Sequence, residues 1–184
     1  MALTVRNGSG IVGVAMPGEA LDRLGIPPMT AINQHSHGIA MAVSVDSKDV
    51  VGNGASAADR VLTVKALANP EAKRSDFVRP GYVFPFRAVT GGVLRRAGGA
   101  EAAVDLMKMS GQKPAAVLCE LVDLTGALMD AHVARAFGTE HSLPVVSVRQ
   151  LIRHRMTSER SVERDRKSTR LNSSHGYISY AVFC

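Results

Sequence analysis

Apolar and polar positions along the chain fall into short runs whose period switches between strand-like and helix-like. SGIVGVAM, Ser9 to Met16, is an apolar run closed by Pro17 and Gly18, which predicts a buried strand and a turn. GEALDRLGI follows as a short helix, stopped by Gly25 and the Pro27-Pro28 pair. IAMAVSVD, Ile39 to Asp46, is rich in small and β-branched residues and predicts a second strand. In SAADRVLTVKALANP, Ser56 stands as N-cap, Val61, Leu62, Val64 and Leu67 fall on one side, and Pro70 ends the helix.

RPGYVFPFRAVTGG carries two prolines and three glycines around Val83 and Phe84, so a turn, a short strand and a loop are expected. Arg95 and Arg96 then enter a loop of Ala97, Gly98, Gly99 and Ala100, and an amphipathic helix is predicted from Glu101 to Ser110, with Asp105 on its solvated side. PAAVLCELVD, Pro114 to Asp123, reads as a third strand with Cys119 buried in it. The segment HVARAFGTEHSLPVVSVRQLIRHR predicts helix, strand (Leu143 to Val148) and helix, with His132 and His141 flanking the first and assigned no role. Strands and helices mixed along one chain point to α/β or α+β layering, and no internal repeat is visible.

Composition narrows the picture in three ways. With 184 residues, 46% of them hydrophobic, the chain has material for one domain with a real core. The net charge of +6 is concentrated towards the end, in RHRMTSERSVERDRKSTR, and no helix-turn-helix, zinc-finger or RRM signature accompanies it, so nucleic acid is not an expected partner. Cys119 and Cys184 are too few and too far apart for a disulfide framework, and no apolar run reaches the ~20 residues that span a bilayer. No membrane contact and a cytoplasmic location are expected. The last residues, KSTRLNSSHGYISYAVFC (167–184), turn from polar to apolar without turn or capping logic and are expected to be an artefactual or disordered tail.

Two places invite a chemical reading. The loop after Arg96 opens a helix, where outward backbone N–H groups suit an anion, yet Ala97 to Ala100 carry no side chain that ligates a metal or moves a proton. His35 and His37 form an H-x-H in a loop without a third partner, for which a structural or exposed role is the plainer reading.

Taken in order, MALTVRNGSGIV, SAADRVLTVKAL, RPGYVFPFRA, GGVLRRAG, EAAVDLMKMSG and PAAVLCEL resemble the 3,4-dihydroxy-2-butanone 4-phosphate synthase family, from Met1 to about Arg155. The resemblance implies an α+β fold, a mixed sheet with helices packed on it. It also implies a cytoplasmic homodimer that converts ribulose 5-phosphate to 3,4-dihydroxy-2-butanone 4-phosphate and formate with Mg²⁺ or Mn²⁺, in riboflavin biosynthesis. Met1 matches an internal family position, so an N-terminal segment with the family's acidic, metal-binding loop is expected to be missing. LIRHRMTSERSVER resembles the junction of bifunctional members that continue into GTP cyclohydrolase II. The expected layout is a synthase-like domain over 1–155, a junction over 156–166 and the tail over 167–184.

The resemblance also assigns roles. Arg96 would bind the substrate phosphate, for which its fork of donors is suited, with Ala97, Gly98, Gly99 and Ala100 completing the substrate loop. Gly99 stands at the family's metal-ligating His and Ala100 at a substrate-binding Thr, so no metal ligand is retained there. Tyr82 takes the place of the catalytic His of a Pro-Gly-His-Val-Phe-Pro run, and a phenol is a poor substitute for an imidazole near neutral pH. Glu120 matches the catalytic carboxylate and is retained. Gly52 and Asn53 replace a Thr pair, Gly13 a Cys and Asn7 a His, whereas Ser56, Asp59, Arg60, Asp76, Pro80, Phe84, Pro85, Gly91 and Gly92 keep the pattern. Without the resemblance, Arg96 would read as a solvated charge and Glu120 as a partner for a nearby Arg. The changes fall on chemistry and spare the scaffold, which predicts an impaired copy. The rival expectation is a non-catalytic, dimerising domain that supports an attached GTP cyclohydrolase II.

Overall fold

The computed structural model describes residues 1–35 and 38–159. Four strands make one mixed sheet in the order β2-β3-β1-β4. Strand β1 (Gly13–Pro17) runs parallel to β3 (Phe77–Ala88), while β2 (Val45–Ser47) and β4 (Ala116–Leu118) are antiparallel edges. Six α-helices accompany the sheet among the described residues: α1 (Ala2–Asn7), α2 (Gly18–Arg23), α3 (Ala57–Leu67), α4 (Gly99–Met109), α5 (Ala131–Glu140) and α6 (Val148–Ser158). The expected α+β architecture is present.

Side chains alternate across a strand, so β1 feeds both faces of the sheet. Val14 and Met16 join Leu21, Leu24, Val45, Leu67 and Val83 on one face, and Ala15 joins Ala88, Ala100 and Val104 on the other. Small residues at Ala15, Ala88 and Ala100 let the first turn of α4 lie close against the strands.

Several elements differ from the sequence pattern. The Pro- and Gly-rich segment forms the long strand β3, not a short strand between loops. Pro85 is tolerated there because it needs only to accept: its carbonyl takes the Ala42 N–H at 2.8 Å. The strand expected over Ile39–Asp46 shrinks to Val45–Ser47 preceded by single bridges at Met41 and Ala42, with a register shift between Val45 and Asp46. The strand expected over Pro114–Asp123 is limited to Ala116–Leu118. No strand forms over Leu143–Val148. Pro144 lacks an N–H, no neighbouring strand is at hand, and Ser147 instead caps α6 in a reciprocal pair with Gln150. On α3 the buried side chains are Thr63 and Leu67, and Leu62 faces out. Thr63 is drawn inward because its hydroxyl accepts the Ser47 N–H at 3.0 Å. Helix α6 carries on past residue 155 to Ser158, and the tail expected over 167–184 lies outside the described residues.

Candidate functional site

The site begins with a turn only glycine can make. After β3, Gly91 and Gly92 hold φ of 95° and 63°, a backbone region that L side chains rarely adopt. A Cβ on Gly92 would also overlap the Asp105 carboxylate. Asp105 is therefore not on a solvated face, as the helical pattern suggested, but buried beneath the turn. Its Oδ2 accepts the Val93 N–H at 2.8 Å and a proton of Arg155 Nη1 at 2.7 Å. Arg155 also donates to the Gly91 carbonyl at 2.9 Å and grips both oxygens of Glu159 at 2.6 and 2.7 Å. These bonds to Glu159 first, and to Asp105 next, hold the guanidinium still more firmly protonated than usual against the opposing effect of desolvation.

The turn delivers Arg96, whose backbone N–H donates to the Gly92 carbonyl at 3.0 Å. Its guanidinium is already engaged: Nη2 donates to Glu101 Oε1 at 2.7 Å, and Nη1 donates to the Gly38 carbonyl. Glu101 is fully buried in the first turn of α4 and takes the Val89 N–H at 2.9 Å as well. Sequence pattern gave no sign of it, since an acid early in a helix is ordinarily solvated. Gly98 is bare because the space its side chain would need is filled by Glu101 Oε2. Gly99 is bare without such a reason, as a Cβ there would meet nothing nearer than Leu118 Cδ1 at 3.8 Å.

Arg96, Gly99, Ala100 and Glu120 line one cleft of about 380 Å³, together with Cys119 and Phe86. The structure thus brings together four of the residues singled out from the sequence. Ala97 and Gly98, on the loop between Arg96 and Gly99, are not part of its lining. Glu120 is exposed just past β4, where its carbonyl accepts the Ser9 N–H at 2.9 Å. Cys119 is half-buried beyond the strand end, not within the strand, and burial pushes its thiol pKa up. The Phe86 ring fills the space beside Gly13, where a Cβ would overlap it. Tyr82 is not part of this lining. It is exposed on β3, its N–H donating to Asp46 Oδ1 at 2.9 Å. His35 also lines the cleft, and His37 lies outside the described residues.

A sequence model of the 3,4-dihydroxy-2-butanone 4-phosphate synthase family matches residues 1–154. The chain belongs to that family. It is 46% identical over 178 residues to the riboflavin biosynthesis protein RibBA of Rhodococcus erythropolis, covering 96% of this chain and 42% of that protein. The chain spans about two fifths of the length of the curated relatives it matches. Among solved structures, the synthase of Candida albicans superposes with a TM-score of 0.78 at 38% identity, covering 83% of this chain and 76% of that one. A synthase in complex with two magnesium ions superposes with a TM-score of 0.80 at 34% identity, covering 85% and 78%.

The donor set described here does not suit such an ion. Mg²⁺ takes hard oxygen ligands in near-octahedral geometry. The loop from Ala97 to Ala100 offers no side-chain donor, and among the described residues no three His, Cys, Asp or Glu side chains converge. Serving the cleft as an anion site is within its chemistry, through Arg96 and the backbone N–H groups at the start of α4.

Proposed function

We propose that this domain keeps the sugar-phosphate recognition of its family, with ribulose 5-phosphate as the ligand, and that its conversion of that ligand to 3,4-dihydroxy-2-butanone 4-phosphate and formate is impaired. One observation carries the reading: the cleft keeps Arg96 and Glu120 but is bare at Gly99 and Ala100, where the family places His and Thr. Arg96 would grip the phosphate and Glu120 would face the carbon chain. Tyr82 supplies no group to this cleft, so proton transfer loses the group that the family resemblance places at that position and rests on Glu120, with His35 the one imidazole among the described lining residues. A positioned acid or base contributes roughly 10²–10⁴-fold in rate, and loss of one is enough to impair turnover. Mg²⁺ or Mn²⁺ is then dispensable for binding. A homodimer working in the cytoplasm is part of the same proposal, and no described helix is long and apolar enough to cross a membrane.

The experiment is formate release from ribulose 5-phosphate with Mg²⁺, compared between this chain and the variant carrying Tyr82→His, Gly99→His and Ala100→Thr. The proposal expects little formate from the first and more from the second. Ordinary turnover by the unaltered chain, lowered by the three substitutions, would instead mean an active, rearranged site.

A second reading is favoured by α6. Its attachment through Arg155 to Asp105 and Gly91 makes the C-terminal end of the domain a firm mount. In this reading the domain supports a following GTP cyclohydrolase II, and deleting it changes that partner's stability or assembly without changing dihydroxybutanone phosphate output.

A further inference from the structure

The carboxylate of Glu101 is the most deeply buried charge in the molecule's described part, with a side chain 0% exposed, and the proposed chemistry makes no use of it. It sits three residues into α4, where a Glu usually reaches back to cap the helix. Here it turns inward. Oε1 accepts from Val89 N–H on the strand side and from Arg96 Nη2 on the cleft side, while Oε2 has no hydrogen-bond partner among the described residues.

Burying a carboxylate with one oxygen unpartnered is costly, and the cost is offset only by a close cation. Among the described residues Arg96 is the one cation in contact with it. The guanidinium is thereby held at two points, by Glu101 from beneath and by the Gly38 carbonyl from the side, and its Nε is enclosed. Its remaining terminal N–H groups are left at the cleft, with the side chain 29% exposed. Gly98 completes the arrangement, because any side chain there would displace Oε2.

We propose that Glu101 is a positioning residue that fixes the Arg96 guanidinium in the plane needed to receive a phosphate, with Gly98 kept side-chain-free to admit it. The inference rests on the reading of the cleft as a phosphate site. A long, flexible arginine that must find its geometry on binding loses affinity to ordering, whereas a preset fork does not. Glu101 touches no ligand and acts through Arg96.

The test is the affinity of the full chain for inorganic phosphate, read together with the Arg96 Nε–Hε signal in nitrogen-edited NMR spectra. The variants are Glu101→Gln, Gly98→Ala and Arg96→Ala. Gln keeps an acceptor for Val89 and removes the charge. Gly98→Ala keeps both charges and displaces the carboxylate, so it decides the matter if the first variant does not fold. The expected result is a loss of phosphate affinity of about tenfold or more in Glu101→Gln, a smaller loss in Gly98→Ala, and a broadened or shifted Arg96 signal in both. A purely structural carboxylate would lower the melting temperature and leave affinity and signal unchanged. Unchanged affinity in the folded variant, with binding lost in Arg96→Ala, overturns the positioning role and leaves the phosphate site standing. Wild-type affinity in Arg96→Ala, or no phosphate binding by the unaltered chain, overturns the phosphate site and this inference with it.

Discussion

Gly98, Gly99 and Gly92 are three small residues near one cleft with three different reasons for being small. Gly92 combines a left-handed φ of 63° with a carboxylate where its Cβ would be, so Gly92→Ala is expected to destabilise by more than about 1–2 kcal/mol in thermal melts. Gly99 has neither constraint and opens a helix. Gly99→His is therefore expected to fold with stability unchanged or raised, by up to about 1 kcal/mol, in the same melts. That asymmetry separates the glycine the fold demands from the one it leaves free to carry a side chain. The resemblance in sequence was enough to mark Arg96, Gly99, Ala100 and Glu120, which do meet on one cleft. It did not reveal what holds Arg96. Glu101 and Asp105 face inward while Leu106 and Met109 of the same helix face out, the reverse of the pattern from which burial is read. The energy of a buried ion pair is set by the partner brought up by another segment, and one-dimensional periodicity carries no record of that partner.

Elements follow the same division. Helices with local signals were legible: Ser56 caps α3, accepting the Asp59 N–H at 3.1 Å, and its stop near Pro70 holds. Strands were less so, because their extent depends on neighbours. Leu143–Val148 has strand-like residues and no strand to pair with, whereas β3 overrides two prolines because β1, β2 and the Met41 bridge to Phe86 lie alongside. Helix α6 is capped by Ser147, buries Leu151 and is tied to the turn after β3 by Arg155. Arg155→Ala removes its bonds to Gly91 and Asp105 and leaves the latter's carboxylate buried without its cation. The expected cost is about 2–3 kcal/mol, with amide exchange over residues 148–158 accelerated ahead of the sheet. Helix α5 depends on its cap. Asp130 accepts the N–H groups of His132 and Val133 at 2.8 and 2.9 Å, so Asp130→Ala is expected to lower the melting temperature and to speed amide exchange at the start of α5.

For the molecule as a whole, four carboxylates at the surface are held below their ordinary pKa values. Arg87 holds Asp22 below its ordinary value, Thr125 holds Asp123 down, the cap bonds from Val133 and His132 lower Asp130, and Arg155 lowers Glu159. A carboxylate whose folded pKa is depressed adds stability that is present above its unfolded pKa and is lost as pH falls through the folded one. The melting temperature is thus expected to be level down to about pH 5 and to decline below about pH 4. Asp130→Asn, which keeps a capping oxygen and removes the charge, should make that decline shallower. Among the described residues no metal-ligand set converges at the cleft that holds Arg96, and the proposal therefore separates ligand recognition from metal chemistry.

That separation is tested most directly by the affinity of the full chain for ribulose 5-phosphate, measured by titration calorimetry first in EDTA and then in Mg²⁺. The expected result is binding of the same strength in both. Binding that appears only with Mg²⁺ would contradict the account, because it would require a metal site within reach of Arg96.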